Sequence, residues 1–233
     1  MKLSKAEIED GKSLLRSQGW LISVEPSFRE ALLSECQWSK VVPRMPVSLG
    51  GETTGGMYGV ASGTVGIIPA VATPDAGLIH IDRAPFWYGL QPFMSGEGRN
   101  ITVMARSECV IAHVPKVSLN RILASDSAGW QMLLMHLGEL FRMSIQAAAD
   151  LLLPERDRRC AAVLLRIAGA RSAGSTAHTV HCSHEELAAM CNLSRQTIAD
   201  VLRRLEMRGE AELGYRAIRL INPDSLRRIV DGA

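Results

Sequence analysis

The sequence predicts an α+β chain in three parts: a glycine-punctuated β domain with flanking helices over residues 1–124, one long helix over 125–153, and a helix-turn-helix with a following hairpin over 154–233. Three observations carry that division. Short β-rich runs separated by glycines, among them Gly50-Gly51, Gly55-Gly56, Gly63 and Gly89, fill Val41 to Val114, a texture of barrels and sandwiches rather than of βαβ sheets. Apolar residues then recur at spacings of three and four from Trp130 to Leu151. Two amphipathic segments, each with a capping residue at its start, lie on either side of Asn192.

Composition sets the outer limits. The 233 residues are 47% apolar and 21% charged, which excludes disorder as the main state. The net charge of +2 excludes a uniformly basic coat, so any nucleic-acid surface must be local. Residues 151–233 hold thirteen arginines and no lysine against ten acids. Arginine's planar fork is favoured where phosphate or guanine must be met bidentately. The first twenty residues are too polar for a signal peptide. No run approaches the roughly 18 apolar residues of a membrane span, so the chain reads as cytoplasmic. Five widely spaced cysteines (Cys36, Cys109, Cys160, Cys182, Cys191) fit free thiols better than a disulfide frame.

Ser4 and Glu7 have capping-box spacing and open a first helix with Ile8, Leu14 and Leu15 as apolar positions. A second short helix is expected from Pro26 to about Cys36. The clearest strands are Leu78–Asp82 and Ile101–Ala105, where apolar residues alternate. Beyond Pro115, Trp130, Leu134, Leu137, Phe141, Ser144, Ala148 and Leu151 form the seam of a long helix meeting another long helix, or packing on its own domain. Pro154 interrupts it at a hinge or boundary. A new helix is expected from Glu155 to Ala168 and a loop from Arg171 to Thr179.

The sharpest signal spans Ser183 to Leu202. Ser183 and Glu186 have capping-box spacing, small Ala188 admits a crossing helix, Asn192 can enter the left-handed region, and Ser194 caps the next helix. On that helix Ile198, Val201, Leu202 and Leu205 share one face, opposite Arg195, Gln196, Ala199, Asp200 and Arg203. Arg195 and Gln196 stand at the amino-terminal tip, where a recognition helix touches base edges, Arg suiting guanine and Gln adenine. Asp200 would accept from cytosine or orient Arg203 or Arg204. Ala211 to Leu220 reads as a hairpin, which makes the unit a winged helix, with Arg216 near the tip able to grip a phosphate. Cys182 and Cys191 bracket the first helix, so oxidation of either would disturb DNA binding.

Two constellations point elsewhere. His80, Asp82 and His113 imitate the ligand set of a non-haem iron oxygenase, the alternative from a different functional class. That chemistry does not explain a helix-turn-helix, so no enzyme activity is expected. His178, His181, Cys182 and His184 have the composition of a metal cluster without a second ligand pair, and read as a polar loop.

Ser194-Arg195-Gln196-Thr197 resembles the Ser-Arg-x-Thr start of the recognition helix in the Crp/Fnr family of bacterial transcription regulators, and Gly209 with Gly214-Tyr215 resembles the approach to its wing. Met57 to Gly63 is similar to a strand-turn element of the family's β-roll. The resemblance implies a cyclic-nucleotide-binding-like β-roll (a double-stranded β-helix), a dimerisation helix with Trp130, Leu134, Leu137, Phe141, Ser144 and Ala148 at its seam, and a winged helix-turn-helix. It further implies a homodimer on inverted-repeat DNA through Ser183, Ser194, Arg195, Gln196, Thr197, Asp200, Arg203 and Arg216, with RNA polymerase as a partner if the protein activates. The effector pocket departs from the pattern. Where nucleotide-responsive members carry Gly-Glu-Leu and later Arg-Ser or Arg-Thr, this chain has Gly89-Leu90-Gln91 and Arg99-Asn100. Leu90 cannot accept hydrogen bonds from a ribose, which argues against cyclic AMP. Ser144 falls near the position from which the family's long helix reaches a base. No cofactor is expected: Cys36 alone cannot hold an iron–sulfur cluster, and His80, His113 and His136 are isolated.

Overall fold

Capping chemistry starts the first helix where its spacing predicts. The Ser4 hydroxyl accepts from Glu7 N–H at 3.2 Å while the Glu7 carboxylate accepts Ser4 N–H at 2.8 Å, which opens α1 (Lys5–Ser17). The computed structural model describes residues 3–53, 55–70, 77–171 and 179–232. The expected loop after Arg171 and His178 fall largely outside them. The chain divides into two compact units, Met1–Ala76 with Ile81–Leu140, and Gly77–His80 with Phe141–Ala233.

In the first unit α1 is followed by a single 3-10 turn at Trp20–Ser23 and by α2 (Pro26–Ser34). Eight strands then follow: β1 (Gln37–Val41), β2 (Pro46–Ser48), β3 (Gly56–Ser62), β4 (Thr64–Pro69), β5 (His80–Arg83), β6 (Phe86–Tyr88), β7 (Ile101–Ala105) and β8 (Cys109–Pro115). Two short helices interrupt or follow them, α3 (Leu90–Ser95) and α4 (Lys116–Ser125). The strands form two antiparallel four-stranded sheets, β1-β8-β3-β6 and β2-β7-β4-β5. Between the sheets lies a core of Val60, Val65, Ile67, Phe86, Tyr88, Val103, Ala105, Cys109 and Ile111. The first sheet is covered on its other face as well. Met57, Ala61, Trp87, Val110, Ala112 and Val114 pack there with Leu15, Phe28, Leu32 and Leu119 from the helices. Burial on both faces explains why β3 and β8 read as nearly continuous apolar runs instead of alternating ones. Gly63, at φ +91°, makes the β3–β4 turn, where a Cβ would come within 2.4 Å of the Glu108 carbonyl oxygen.

α5 (Gly129–Leu152) begins in the first unit and ends in the second. Leu133 and His136 are buried and Leu137 leans on the helix-side core of the first unit. The opposite side leaves Leu134, Phe141, Ile145 and Leu152 exposed by 53, 66, 53 and 82%. Together with Gly138 and Ala148 they step by four and three along one stripe. The stripe shares Leu134, Phe141 and Ala148 with the periodicity-based seam, has Gly138, Ile145 and Leu152 where the seam has Leu137, Ser144 and Leu151, and does not include Trp130, which stacks on Phe93. A helix that also buries residues against its own domain turns part of its apolar set away from the open side.

The helix stops at Leu152, ahead of Pro154. The second unit continues with α6 (Arg156–Ile167), β9 (Thr179–Val180), α7 (His184–Cys191), α8 (Arg195–Met207), β10 (Ala211–Gly214), β11 (Ala217–Leu220) and α9 (Pro223–Asp231). β10, β11 and β9 make a three-stranded antiparallel sheet. Cys160 through Leu165 are all buried, so α6 is enclosed by its neighbours. α9 has no counterpart among the expected elements, although Asn222 caps it at 3.0 Å and Pro223 occupies its first turn.

His80 and Asp82 lie on β5 and His113 on β8, strands of different sheets. His113 stacks on Tyr58 with ring centroids 4.3 Å apart. Among the described residues no group of three or more His, Cys, Asp or Glu is arranged to hold a metal ion. No described helix is long and apolar enough to cross a membrane.

His136 gives the first unit a pH dependence. Its Nε2–H donates to the Trp87 carbonyl at 3.1 Å and its ring stacks on Trp20 at 4.6 Å. Burial pushes its pKa down to about 4. The unfolded chain takes up the proton near pH 6.5 and the folded one only near 4. Stability is thus complete above the unfolded pKa and falls, by on the order of 3 kcal/mol, as the pH drops from there to the folded pKa. Chemical denaturation from about pH 7 to about pH 5 is expected to show this decline and His136→Gln to flatten it; identical slopes would remove His136 as its source.

Candidate nucleic-acid interface

The helix pair is built from local signals that act together. Ser183 caps α7, its hydroxyl accepting Glu186 N–H at 3.2 Å and its own N–H reaching the Glu186 carboxylate at 2.7 Å. α7 ends at Asn192, which sits at φ 50°, ψ 52°, with Leu193 N–H returning to the Ala188 carbonyl at 3.0 Å. Asparagine adopts this left-handed conformation at less cost than other side-chain-bearing residues. Two residues later Ser194 caps α8, accepting Thr197 N–H at 3.1 Å, and its hydroxyl lies 2.8 Å from that of Thr197.

On α8 the residues Ile198, Val201, Leu202 and Leu205 are fully buried. Arg195 and Gln196 are exposed at the amino-terminal tip. Asp200 is held between two neighbours, accepting from Gln196 Nε2 at 3.3 Å and from Arg203 at 3.0 Å. Of the two arginines expected to meet Asp200, only Arg203 does so. Arg204 turns the other way and pairs with Asp157 on α6, its Nε 3.1 Å from the carboxylate. The wing is a hairpin in which Gly214 pairs with Ala217, leaving Tyr215 and Arg216 as a two-residue tip. Arg216 is left-handed at φ 51° and lies 3.7 Å from Glu186. Tyr215 is 95% exposed. Sequence reasoning misses Tyr215 as a site residue, although its position beside Gly214 at a hairpin tip is visible there.

The three cysteines of this unit, Cys160, Cys182 and Cys191, are buried. A hydrogen bond with Cys191 and burial push the Cys160 thiol well above its usual range. Burial shields Cys182 and Cys191 from oxidants in solution, which weakens the expectation that their oxidation disturbs DNA binding.

The expected effector residues fall in different places. Gly89, at φ +103°, caps α3, and a Cβ there would come within 2.6 Å of the Gly56 carbonyl and 3.1 Å of the Arg99 guanidinium. Gly89 and Arg99 are thus neighbours. Leu90 is 1% and Arg99 3% exposed. The Arg99 guanidinium lies 4.7 Å over the Tyr58 ring. Tyr58 also stacks on Tyr88 at 5.4 Å, and the Tyr88 hydroxyl is 3.2 Å from that of Ser48. Gln91 bonds to Ser95 within α3, and Asn100 is exposed, its carbonyl accepting Ala70 N–H at 2.8 Å. Ser144 is an exposed position of α5 in the second unit. The Tyr58–Tyr88–His113 row is not foreshadowed in the sequence, because cross-strand neighbours are set by register.

Loss of the turn and cap chemistry has a measurable cost. Asn192→Ala and Ser194→Ala are each expected to lower stability by about 1 kcal/mol. Asn192→Gly should cost less than Asn192→Ala in thermal or urea unfolding; the reverse order would contradict the left-handed turn.

Residues 158–229 match the model of the Crp-like helix-turn-helix domain. Solved structures share the fold over most of the chain. FixK2 from Bradyrhizobium japonicum is 19% identical, with 83% of this chain and 96% of that one covered and a TM-score of 0.70. A CRP-family transcriptional regulator from Thermus thermophilus is 23% identical over 84% and 97%, with a TM-score of 0.65. The c-di-GMP responsive global regulator CLP of Xanthomonas campestris is 19% identical over 84% and 99%, with a TM-score of 0.64. At these identities the likeness speaks for the fold. Comparison with the curated proteins gives no match. A Crp-like helix-turn-helix domain, with His113 in a different sheet from His80 and Asp82, speaks against the oxygenase alternative. The helix-turn-helix of α7 and α8 thus lies in a Crp-like domain, and the fold of the chain is the one seen in these solved structures of CRP-family regulators.

Proposed function

We propose that the protein binds an inverted-repeat operator as a homodimer, with each α8 entering a major groove. The observation that carries this reading is the tip of α8, where Arg195 and Gln196 are exposed while the opposite face is fully buried. Arg195 would take guanine O6 and N7, and Gln196 adenine N6 and N7. Asp200 orients Gln196 and Arg203, so it shapes the reading surface from within it. Ser194 and Thr197 at the start of α8, and Ser183 at the start of α7, would meet phosphate, with backbone N–H groups of the two helix starts beside them. Arg216 and Tyr215 would extend the contact from the wing. The exposed stripe of α5 through Leu134, Phe141, Ile145 and Leu152 supplies the apolar seam for a second copy.

The β-roll supports a second reading, in which DNA binding needs no cyclic nucleotide. Leu90 stands buried where a ribose acceptor is expected, and Arg99 is packed over Tyr58.

Sequences selected from a random DNA pool should contain inverted half-sites centred about one helical turn, roughly 10 to 10.5 base pairs, or a multiple apart. Arg195→Ala should weaken selected-site binding by roughly 5- to 100-fold and relax base choice at one position per half-site. An unaltered footprint would refute the assignment of α8. Phe141→Glu should sediment as a monomer and lose operator affinity; a stable dimer would exclude the α5 seam. Saturating cyclic AMP should leave the affinity unchanged.

A further inference from the structure

One guanidinium joins the end of α5 to the turn of the helix-turn-helix. Arg159, in the first turns of α6, donates Nε–H and an Nη2–H to the Leu153 carbonyl at 3.0 and 2.8 Å. Its other terminal nitrogen lies 3.4 Å from both the Cys191 and the Asn192 carbonyls. All four bonds go to main-chain oxygens, and those oxygens belong to two helix ends. Leu153 follows the last residue of α5, and Cys191 and Asn192 close α7. The last carbonyls of a helix have no partner inside it and carry the negative end of its dipole, so a cation between two such ends is favoured by both. Pro154 contributes no N–H to that region.

The fork is planar and its N–H directions are fixed, so its partners are held at a set separation. Two further bonds make the neighbourhood stiff. The Arg166 Nε lies 2.9 Å from the buried Asp150 carboxylate, which fastens the last turns of α5 to α6. The Asp157–Arg204 pair fastens α6 to α8. α6 is therefore tied at one end to α5 and at the other to the recognition helix, and Arg159 ties the end of α5 to the turn that leads into α8.

The geometry points to Arg159 as a positioning residue that sets the orientation of the recognition helix relative to the end of α5, and hence the half-site spacing a dimer accepts. This rests on the homodimer reading given above. Each added base pair turns a half-site by about 34° and moves it along the axis, so a rigid link must discriminate between spacings where a loose one need not.

The test compares operator duplexes of selected sequence with two base pairs inserted between the half-sites, and a single half-site duplex, by fluorescence anisotropy. Wild type is expected to lose roughly tenfold or more on insertion. Arg159→Gln, and Arg159→Lys whose single ammonium cannot bridge both helix ends, should lose less than about threefold on insertion while binding the single half-site as wild type does. A residue that merely stabilised the domain would weaken all duplexes alike. Circular dichroism and the thermal midpoint establish folding, and if Arg159→Gln does not fold, Arg159→Lys decides. Folded variants that keep the wild-type spacing ratio overturn the role of Arg159. A wild-type protein indifferent to spacing overturns the inverted-repeat reading itself, and the inference with it.

Discussion

Everything in the DNA-binding part depends on how α8 is seated. Ile198, Val201, Leu202 and Leu205 lose all contact with water, and at about 2 kcal/mol for each such side chain they fix the rotation of the helix about its axis. A turn of one residue, about 100°, would expose part of that set and bury charge in its place. The polar face follows from this seating. Arg195, Gln196 and Arg203 face outward because the opposite side has no other place to be. The caps at Ser183 and Ser194 and the left-handed Asn192 decide where each helix begins, and the buried stripe decides which way the second one faces.

The arginine-only composition of the last third has two causes. The proposed DNA recognition would account for the exposed Arg195, Arg203 and Arg216. Several others work inside the unit: Arg158 donates to the Val230 carbonyl, Arg159 to Leu153, Arg166 to Asp150, Arg204 to Asp157, and Arg227 to the Ala170 carbonyl. A small domain with many helix ends needs donors for carbonyls that no helix satisfies. A guanidinium can serve two oxygens at once, which a lysine ammonium does with less geometric control. The same residue type thus builds the scaffold and would supply the proposed reading surface.

The β-roll shows the opposite balance. Its inner face carries Phe86, Tyr88, Tyr58 and His113 as a stacked row, with Arg99 laid over Tyr58. Leu90 is buried beside Gly89 at the head of α3. Leu90 and Arg99 are thus both enclosed by the protein's own side chains.

Local chemistry was legible in the sequence alone. The capping boxes at Ser4 and Ser183, the turn at Asn192, the break at Pro154 and the hairpin from Ala211 to Leu220 each rest on bonds spanning a few residues, so a short window contains their cause. The helix-turn-helix and its polar tip were readable for the same reason. Long-range partners were not. That Arg204 reaches Asp157, that Leu137 turns inward and Ile145 outward, and that His113, Tyr58 and Tyr88 share a row depends on packing and strand register. Arg159 is the clearest case. Its charge is plain in the sequence, but its partners are backbone oxygens at two helix ends distant in the chain, and only the tertiary fold brings those oxygens within reach of one side chain.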